Sequence, residues 1–161
     1  MLRKIALVAL VTMGASAQAQ SVLTEKNISL DLANELATTT VNICQQKGYN
    51  VSAAVVDRAG VLRSFSRANN AGPHTVQASI DKAFTSVSGR NLSSAMMQAS
   101  QSNAGAANLG DINGFLLLAG GVPVKVGDEV IGAIGVGGAP GGHLDEECAV
   151  AALDSVKAKL K

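Results

Sequence analysis

The order of apolar runs predicts an α+β fold, with a mainly antiparallel sheet of about five strands packed by N-terminal, central and C-terminal helices. Three observations carry this expectation. Two pairs of short apolar runs are joined across turn residues, Asp57-Arg58-Ala59-Gly60 and Val126-Gly127-Asp128-Glu129, and runs joined in this way are hairpins. Segments at both ends of the chain repeat apolar residues at the helical period. The elements read as helix, two strands, helix, short helix, three strands, helix, so strands cluster rather than alternate singly with helices.

The chain of 161 residues opens with MLRKIALVALVTMGASAQAQ. Arg3 and Lys4 precede an apolar run from Ile5 to Met13, and small residues follow as far as Ala17-Gln18-Ala19. This is the pattern of a secretory signal peptide over residues 1–19, with an apolar part too short for a permanent membrane span. Cleavage near Ala19 leaves residues 20–161 as one domain in a periplasmic or secreted setting. It also shifts the charge: 13 Lys and Arg against 12 Asp and Glu become 11 against 12, or −1, once Arg3 and Lys4 are gone. A nearly neutral domain offers no electrostatic reason for a nucleic-acid or anionic-lipid partner. No later apolar stretch is long enough to cross a bilayer.

Thr24 to Lys47 is the first predicted helix. Ile28, Leu32, Leu36, Thr40 and Cys44 recur every four residues, Thr24 or Ser29 suits its start, and Gly48 stops it. Tyr49–Val56 and Val61–Arg67 form the first hairpin, with Asp57 as a turn residue binding local N–H groups. Ala68 to Thr75 is a loop, and Pro73 suits the first turn of the next helix. That helix runs to about Val87, with Val76, Ile80, Ala83, Phe84 and Val87 facing inward. Gly89 to Asp111 is rich in Ser, Asn, Gln, Gly and Ala, and is expected to be irregular apart from a short helix capped by Ser93 and carrying Met96 and Met97. Phe115 to Ala119 reads as a strand. Val122–Val126 and Glu129–Val136 form the second hairpin, whose Pro123 belongs at a sheet edge or strand start because it lacks an N–H. The last helix runs from about His143 to Leu160. Its stripe is Leu144, Cys148, Ala151, Ala152, Val156 and Leu160, and Lys157, Lys159 and Lys161 suit its negative end.

The core is unusual in kind. Aromatics are confined to Tyr49, Phe65, Phe84 and Phe115, while Ala and Gly abound. Small residues let backbones approach but bury little apolar area each, so a homo-oligomer is expected. Cys44 and Cys148 each fall within a predicted helix. In an oxidising compartment they form one disulfide between the first and last helices, provided their Cα atoms come within about 7 Å; otherwise they are buried thiols.

Chemistry concentrates around Gly137-Gly138-Ala139-Pro140-Gly141-Gly142, which joins the second hairpin to the last helix. Such a loop allows close approach of a ligand or a neighbouring chain, although a tight strand-to-helix connection explains it equally well. A glycine loop feeding a helix N-terminus is a general anion site, but Asp145, Glu146 and Glu147 would repel a phosphate. The spacing matches neither a Walker A loop nor a dinucleotide fingerprint. His74 and His143 are the chain's two histidines. Imidazole titrates near neutrality and is the commonest axial ligand of haem; the plainer role for His74 is a polar loop residue or helix cap. Met96 or Met97 can in principle be a second iron ligand, whereas Met in a core usually fills gaps.

Two longer stretches together carry a family resemblance. VSAAVVDRAGVLRSFSRANNAGPHTVQASIDKA (Val51–Ala83) and LLLAGGVPVKVGDEVIGAIGVGGAPGGHLDEECA (Leu116–Ala149) resemble the GlcG/HbpS family of haem-binding or haem-degrading proteins. The resemblance covers nearly all of residues 20–161. It implies a profilin-like fold with a five-stranded antiparallel sheet, and dimers assembled into larger homo-oligomers. Some members bind haem, including exported ones in redox sensing, and related domains are fused to cobalamin-metabolising enzymes. Asp57, Gly60, Arg67, Lys82 and Ala83 match the first motif. Gly120, Gly121, Pro123, Gly132, Gly135, Gly138, Asp145 and Cys148 match the second. Gly137 departs from the serine that many relatives carry there.

The expected cofactor is therefore haem, with His74 as the preferred metal ligand, His143 as second choice, and Arg67, Lys82, Gly138 and Asp145 as further cofactor-binding candidates. Haem sensing, storage and degradation are all compatible uses. Two other readings stand beside this one. One is a non-catalytic sensor or partner subunit binding another small ligand. The other is an enzyme on a small metabolite, using His74, His143, Arg67, Lys82, Asp145 and Glu146 for acid–base and anion-binding work, which requires them to meet in one cleft.

Overall fold

The computed structural model describes residues 21–161; the expected signal peptide lies outside them. The elements are α1 (Leu30–Gln46), β1 (Ser52–Asp57), β2 (Leu62–Arg67), α2 (His74–Gly89), α3 (Ser93–Ser102), β3 (Gly121–Val126), β4 (Glu129–Gly137) and α4 (Gly142–Ser155), with single 3-10 turns at Ala104–Ala106, Leu109–Asp111 and Lys157–Lys159. One four-stranded sheet has the order β2-β1-β4-β3, and every pairing in it is antiparallel. The α+β expectation holds, but the strand count is four rather than about five.

The missing strand is Phe115 to Ala119, which is irregular. Two of its backbone groups bond to side chains, and the Phe115 and Leu118 N–H groups bond to the nearby Ile112 and Leu116 carbonyls, instead of to a ladder. The Leu116 N–H donates to Thr85 Oγ1 at 2.7 Å, and the Leu118 carbonyl accepts from Ser93 Oγ at 2.6 Å. Ser93 is thus not the cap of α3, a position Leu92 occupies; its hydroxyl also accepts from the Gly121 N–H at 2.8 Å and holds the entry to β3. Similarly, α1 starts later than its apolar periodicity suggests. The Ile28 N–H is engaged by the Ile131 carbonyl at 3.0 Å, and Ser29 then caps the helix by accepting from the Leu32 N–H. At the other end, α4 stops at Ser155 and gives way to the lysine-bearing 3-10 turn.

Both hairpins form as expected, and Asp57 does the turn work assigned to it. Its Oδ1 accepts from the N–H groups of Ala59 at 2.9 Å and Val61 at 3.0 Å. β3, with Pro123, lies at a sheet edge. β1 is central and buried along its whole length.

The two faces of the sheet differ in kind. Ala53, Val55, Val122, Val124, Ile134 and Val136 face α1 and α4 and form the main core with Leu36, Val41 and Ala152. The other face carries glycines, and α2 lies directly on it. A Cβ built on Gly135 would come 2.0 Å from the Ser79 carbonyl oxygen, and one on Gly121 would come 2.3 Å from that of Lys82. Only small or slender side chains fit between surfaces this close. Thr75, Ser79, Lys82, Ala83, Thr85, Ser86 and Val87 accordingly form the buried face of α2. Val76, Ile80 and Phe84, expected to face inward, are only half-buried, at the flanks of that face. Phe84 packs edge-on against Phe115, ring centroids 6.1 Å apart.

Cys44 and Cys148 are joined in a disulfide, with Cα atoms 5.5 Å apart and 104 residues of separation. It fastens α1 to α4 inside the core, where both cysteines are fully buried. A closed loop of this length restricts the unfolded chain strongly, so replacing both cysteines by serine should cost about 2–5 kcal/mol, read as a lower urea midpoint. Gly135→Ala should cost about 1–3 kcal/mol by overpacking, because the obstructing atoms are helix backbone and cannot swing aside; the same urea titration checks it.

Candidate functional site

A cleft of about 620 Å³ opens between the start of α2, the side of α3 and the loop leading into α4. Its floor and walls are largely small or apolar, including Ala78, Met97, Leu118, Ala119 and Pro140. Cavities of this size and character are typical ligand sites. His74, Lys82, Gly138, His143 and Asp145, five of the six residues singled out in the sequence, all line it. Arg67 does not. It is exposed at the end of β2, and its guanidinium donates to the Ala71 carbonyl, bracing the loop that leads to His74.

The two histidines reach the cleft by the same local device. His74 is the first residue of α2 and His143 the second of α4. Each imidazole lies back over the glycine two positions earlier. A Cβ on Gly72 would come 2.8 Å from the His74 ring, and one on Gly141 would come 2.7 Å from the His143 ring. Both rings are on exposed residues at the rim. Met96 and Met97 separate in role: Met96 is buried, while Met97 forms part of the cleft wall.

Beneath the rim is a buried ion pair. Lys82 Nζ donates to Asp145 Oδ2 at 2.8 Å and to the Val136 carbonyl at 2.9 Å. Asp145 Oδ1 accepts from the Ala139 N–H at 2.9 Å. The two side chains are 5% and 4% exposed, so this is a desolvated pair, and removing one partner strands the other charge. Burial pushes the Asp145 carboxyl above its ordinary range, and Lys82 opposes that shift without cancelling it. The pair fastens the start of α4 to the middle of α2 and to the end of β4.

Glu146 follows Asp145 and has the opposite circumstance. Its Oε2 is, among the described residues, the one buried side-chain polar atom with no hydrogen-bond partner. Leaving a buried acceptor unsatisfied costs about 1–3 kcal/mol, more when it is charged. Glu146 and His143 also line a second hollow, of about 460 Å³, on the outer side of α4. There Glu147 pairs with Lys47 at 3.1 Å. Among the described residues, no group of three or more His, Cys, Asp or Glu is arranged to hold a metal ion.

Ser94, Gln98, Leu118 and Ala119 line the cleft without having been picked out as site residues. Ser94 and Gln98 fall in the Gly89–Asp111 stretch, which stood out only for its small and polar residues, and the expected Phe115–Ala119 strand hid the place of Leu118 and Ala119 in the wall.

Lys82→Met should cost about 3–5 kcal/mol at neutral pH by leaving Asp145 charged and alone. The sign with pH follows from the raised carboxyl. In the folded state Asp145 holds its proton to higher pH than in the unfolded chain, so its contribution is fully present below the ordinary carboxylate range. It is lost as pH rises through the elevated folded-state value. Without Lys82 that value rises further, and the penalty of the variant should shrink on acidification. Urea unfolding of both proteins at neutral and acid pH measures it.

A search among curated proteins finds no significant match. Among solved structures, a double mutant of HbpS from Streptomyces reticuli is similar, with a TM-score of 0.81 and 34% identity, covering 91% of this chain and 98% of that one. The Klebsiella pneumoniae protein ORFY gives a TM-score of 0.81 at 26% identity, covering 87% and 97%. The PduOC:heme complex shares the fold, with a TM-score of 0.73 at 20% identity, covering 80% and 94%. A family model described as haem degrading protein HbpS-like matches residues 28–154. The chain belongs to the HbpS-like family.

Proposed function

We propose that this is an exported haem-binding protein, with the macrocycle seated in the cleft between α2, α3 and the Gly137–Gly142 loop. One observation carries the reading: the chain has only two histidines, and both line this cleft. A bare metal ion takes most of its ligands from protein, whereas haem brings four nitrogens and asks for one or two axial donors. Two rim histidines, with no three-residue ligand cluster among the described residues, suit the second case.

The rest of the lining fits the group. Ala78, Met97, Leu118, Ala119 and Pro140 offer apolar contact to a flat ring. A methyl added at Gly137 would meet only ordinary contacts at 3.5 Å or more, so the fold does not demand glycine there, and its missing side chain widens the cleft. Lys82 carries the positive charge at the cleft floor, tied to Asp145. Iron in the bound group would supply the redox chemistry; the protein holds it by imidazole, excludes water with the apolar wall, and keeps the α4 end of the cleft rigid through the buried pair.

Family membership supports the assignment, and the same fold holds haem in the PduOC complex. Sensing, storage and degradation are alternative uses of one site within this reading, which also includes a profilin-like fold type and self-association. Val61 and Leu62, 60% and 44% exposed beside the β2 edge, support a partner of the same chain on that side. The disulfide supports an oxidising location, with residues 1–19 as the removable leader. The convergence of Glu146 with both histidines in one cleft also favours a second reading, an acid–base enzyme on a small metabolite, in which Glu146 is the uncommitted carboxylate.

Titrating haemin into the purified protein should give a saturable Soret band that survives gel filtration. Loss of that band in His74→Ala or His143→Ala would place the axial ligand. A weak, unsaturating rise, equal in all three proteins, would reject haem and leave the metabolite enzyme.

A further inference from the structure

The two histidines are not equivalent in what stands one helical turn beyond them. After His74, the residues three and four positions on are Gln77, whose Nε2 donates to Asp81 Oδ1 at 2.7 Å, and Ala78, which has no polar side chain. After His143 they are Glu146 and Glu147. Glu147 is held by Lys47. Glu146 carries the buried oxygen that no described group satisfies. Its neighbour Asp145 is already committed to Lys82 and to the Ala139 N–H. Of the carboxylates at the start of α4, Glu146 is therefore the free acceptor.

We propose that His143 is the axial ligand and that Glu146 is its positioning residue, accepting a hydrogen bond from the imidazole N–H that faces away from the iron. The proposal rests on the haem reading above and extends it. Residues three apart on a helix are neighbours on one face. Helical side chains lean toward the N-terminus, the direction of His143 from Glu146; Glu146 Oε2 makes no hydrogen bond among the described residues, so the pairing requires the two side chains to turn toward each other when haem binds. Both residues line the cleft and the adjoining hollow, which makes them a shared wall between the two. A ligating histidine ordinarily gives its second N–H to a carboxylate, a carbonyl or water, and this orients the ring and strengthens the iron–nitrogen bond. The pairing would satisfy the one buried oxygen left open and give the imidazole more electron density, favouring ferric iron.

The test uses the haemin-loaded protein and three variants. His143→Ala should lose the histidine-ligated spectrum and His74→Ala should keep it. Glu146→Gln, which preserves shape but removes the charge, should keep a saturable Soret band while the midpoint potential shifts positive, a change that a purely structural role for Glu146 would not produce. Loss of the histidine-ligated spectrum in His74→Ala, alone or together with His143→Ala, overturns the assignment. So does an unchanged potential in Glu146→Gln with the band intact. Absence of saturable binding in the unmodified protein overturns the haem reading itself, and is distinguishable because it needs no variant.

Discussion

Helix α2 lies so close to the sheet that Gly121 and Gly135 leave no room for even a methyl group beneath it. The central part of this face is built from glycine and alanine, with Ala54 opposite Gly135 and Gly121 opposite Gly135 in register. A helix usually meets a sheet through branched or aromatic side chains; here backbone meets backbone. That exchange sets the character of α2, whose buried face is Thr75, Ser79, Lys82, Ala83, Thr85, Ser86 and Val87. Buried hydroxyls must find partners. Ser52 and Thr75 join at 2.7 Å across the β1–α2 contact, and Ser86 donates to the Asn91 carbonyl at 2.7 Å.

The same closeness brings Lys82 to the sheet. From a helix held this low, its ammonium reaches the Val136 carbonyl and the Asp145 carboxylate together. Desolvation makes such a pair a poor source of net stability, and the raised Asp145 carboxyl reflects that. Its structural value is positional. Asp145 and Cys148 are one turn apart on the inner face of α4, so the helix is gripped toward α2 by the ion pair and toward α1 by the disulfide. With those two side chains turned inward, His143 and Glu146 are left on the side that meets the cleft.

The large apolar residues take a secondary part. Phe65, Phe84 and Phe115 are all half-buried, and the main core is aliphatic, from Ile28 and Leu36 to Ile134 and Val156. Each aliphatic residue buries less area than an aromatic would. The disulfide offsets some of this shortfall by restricting the unfolded chain. The cleft benefits in turn, because no bulky side chain from the core intrudes between α2 and the glycine loop.

Much of the architecture was legible in the residues alone. Turn chemistry at Asp57–Gly60 and Val126–Glu129 determined both hairpins, because glycine, asparagine and aspartate act locally and leave a local mark. Periodicity determined α1, α2 and α4 as helices, and Pro123 narrowed its strand to a sheet edge or a strand start. Two cysteines in predicted helices admitted either a disulfide or buried thiols, and two histidines beside glycine-containing loops stood as ligand candidates. Tertiary structure alone decided which face of α2 turns inward, since periodicity reports a repeat and not where a neighbouring surface leaves space. It decided that Phe115–Ala119 is no strand, because Thr85 and Ser93, distant in the chain, take its hydrogen bonds. It decided that Lys82 meets Asp145 across 63 residues, that Arg67 stands away from the cleft, and that Glu146 is the carboxylate left free. A side chain's partners depend on where the chain returns, and that is a property of packing rather than of local order.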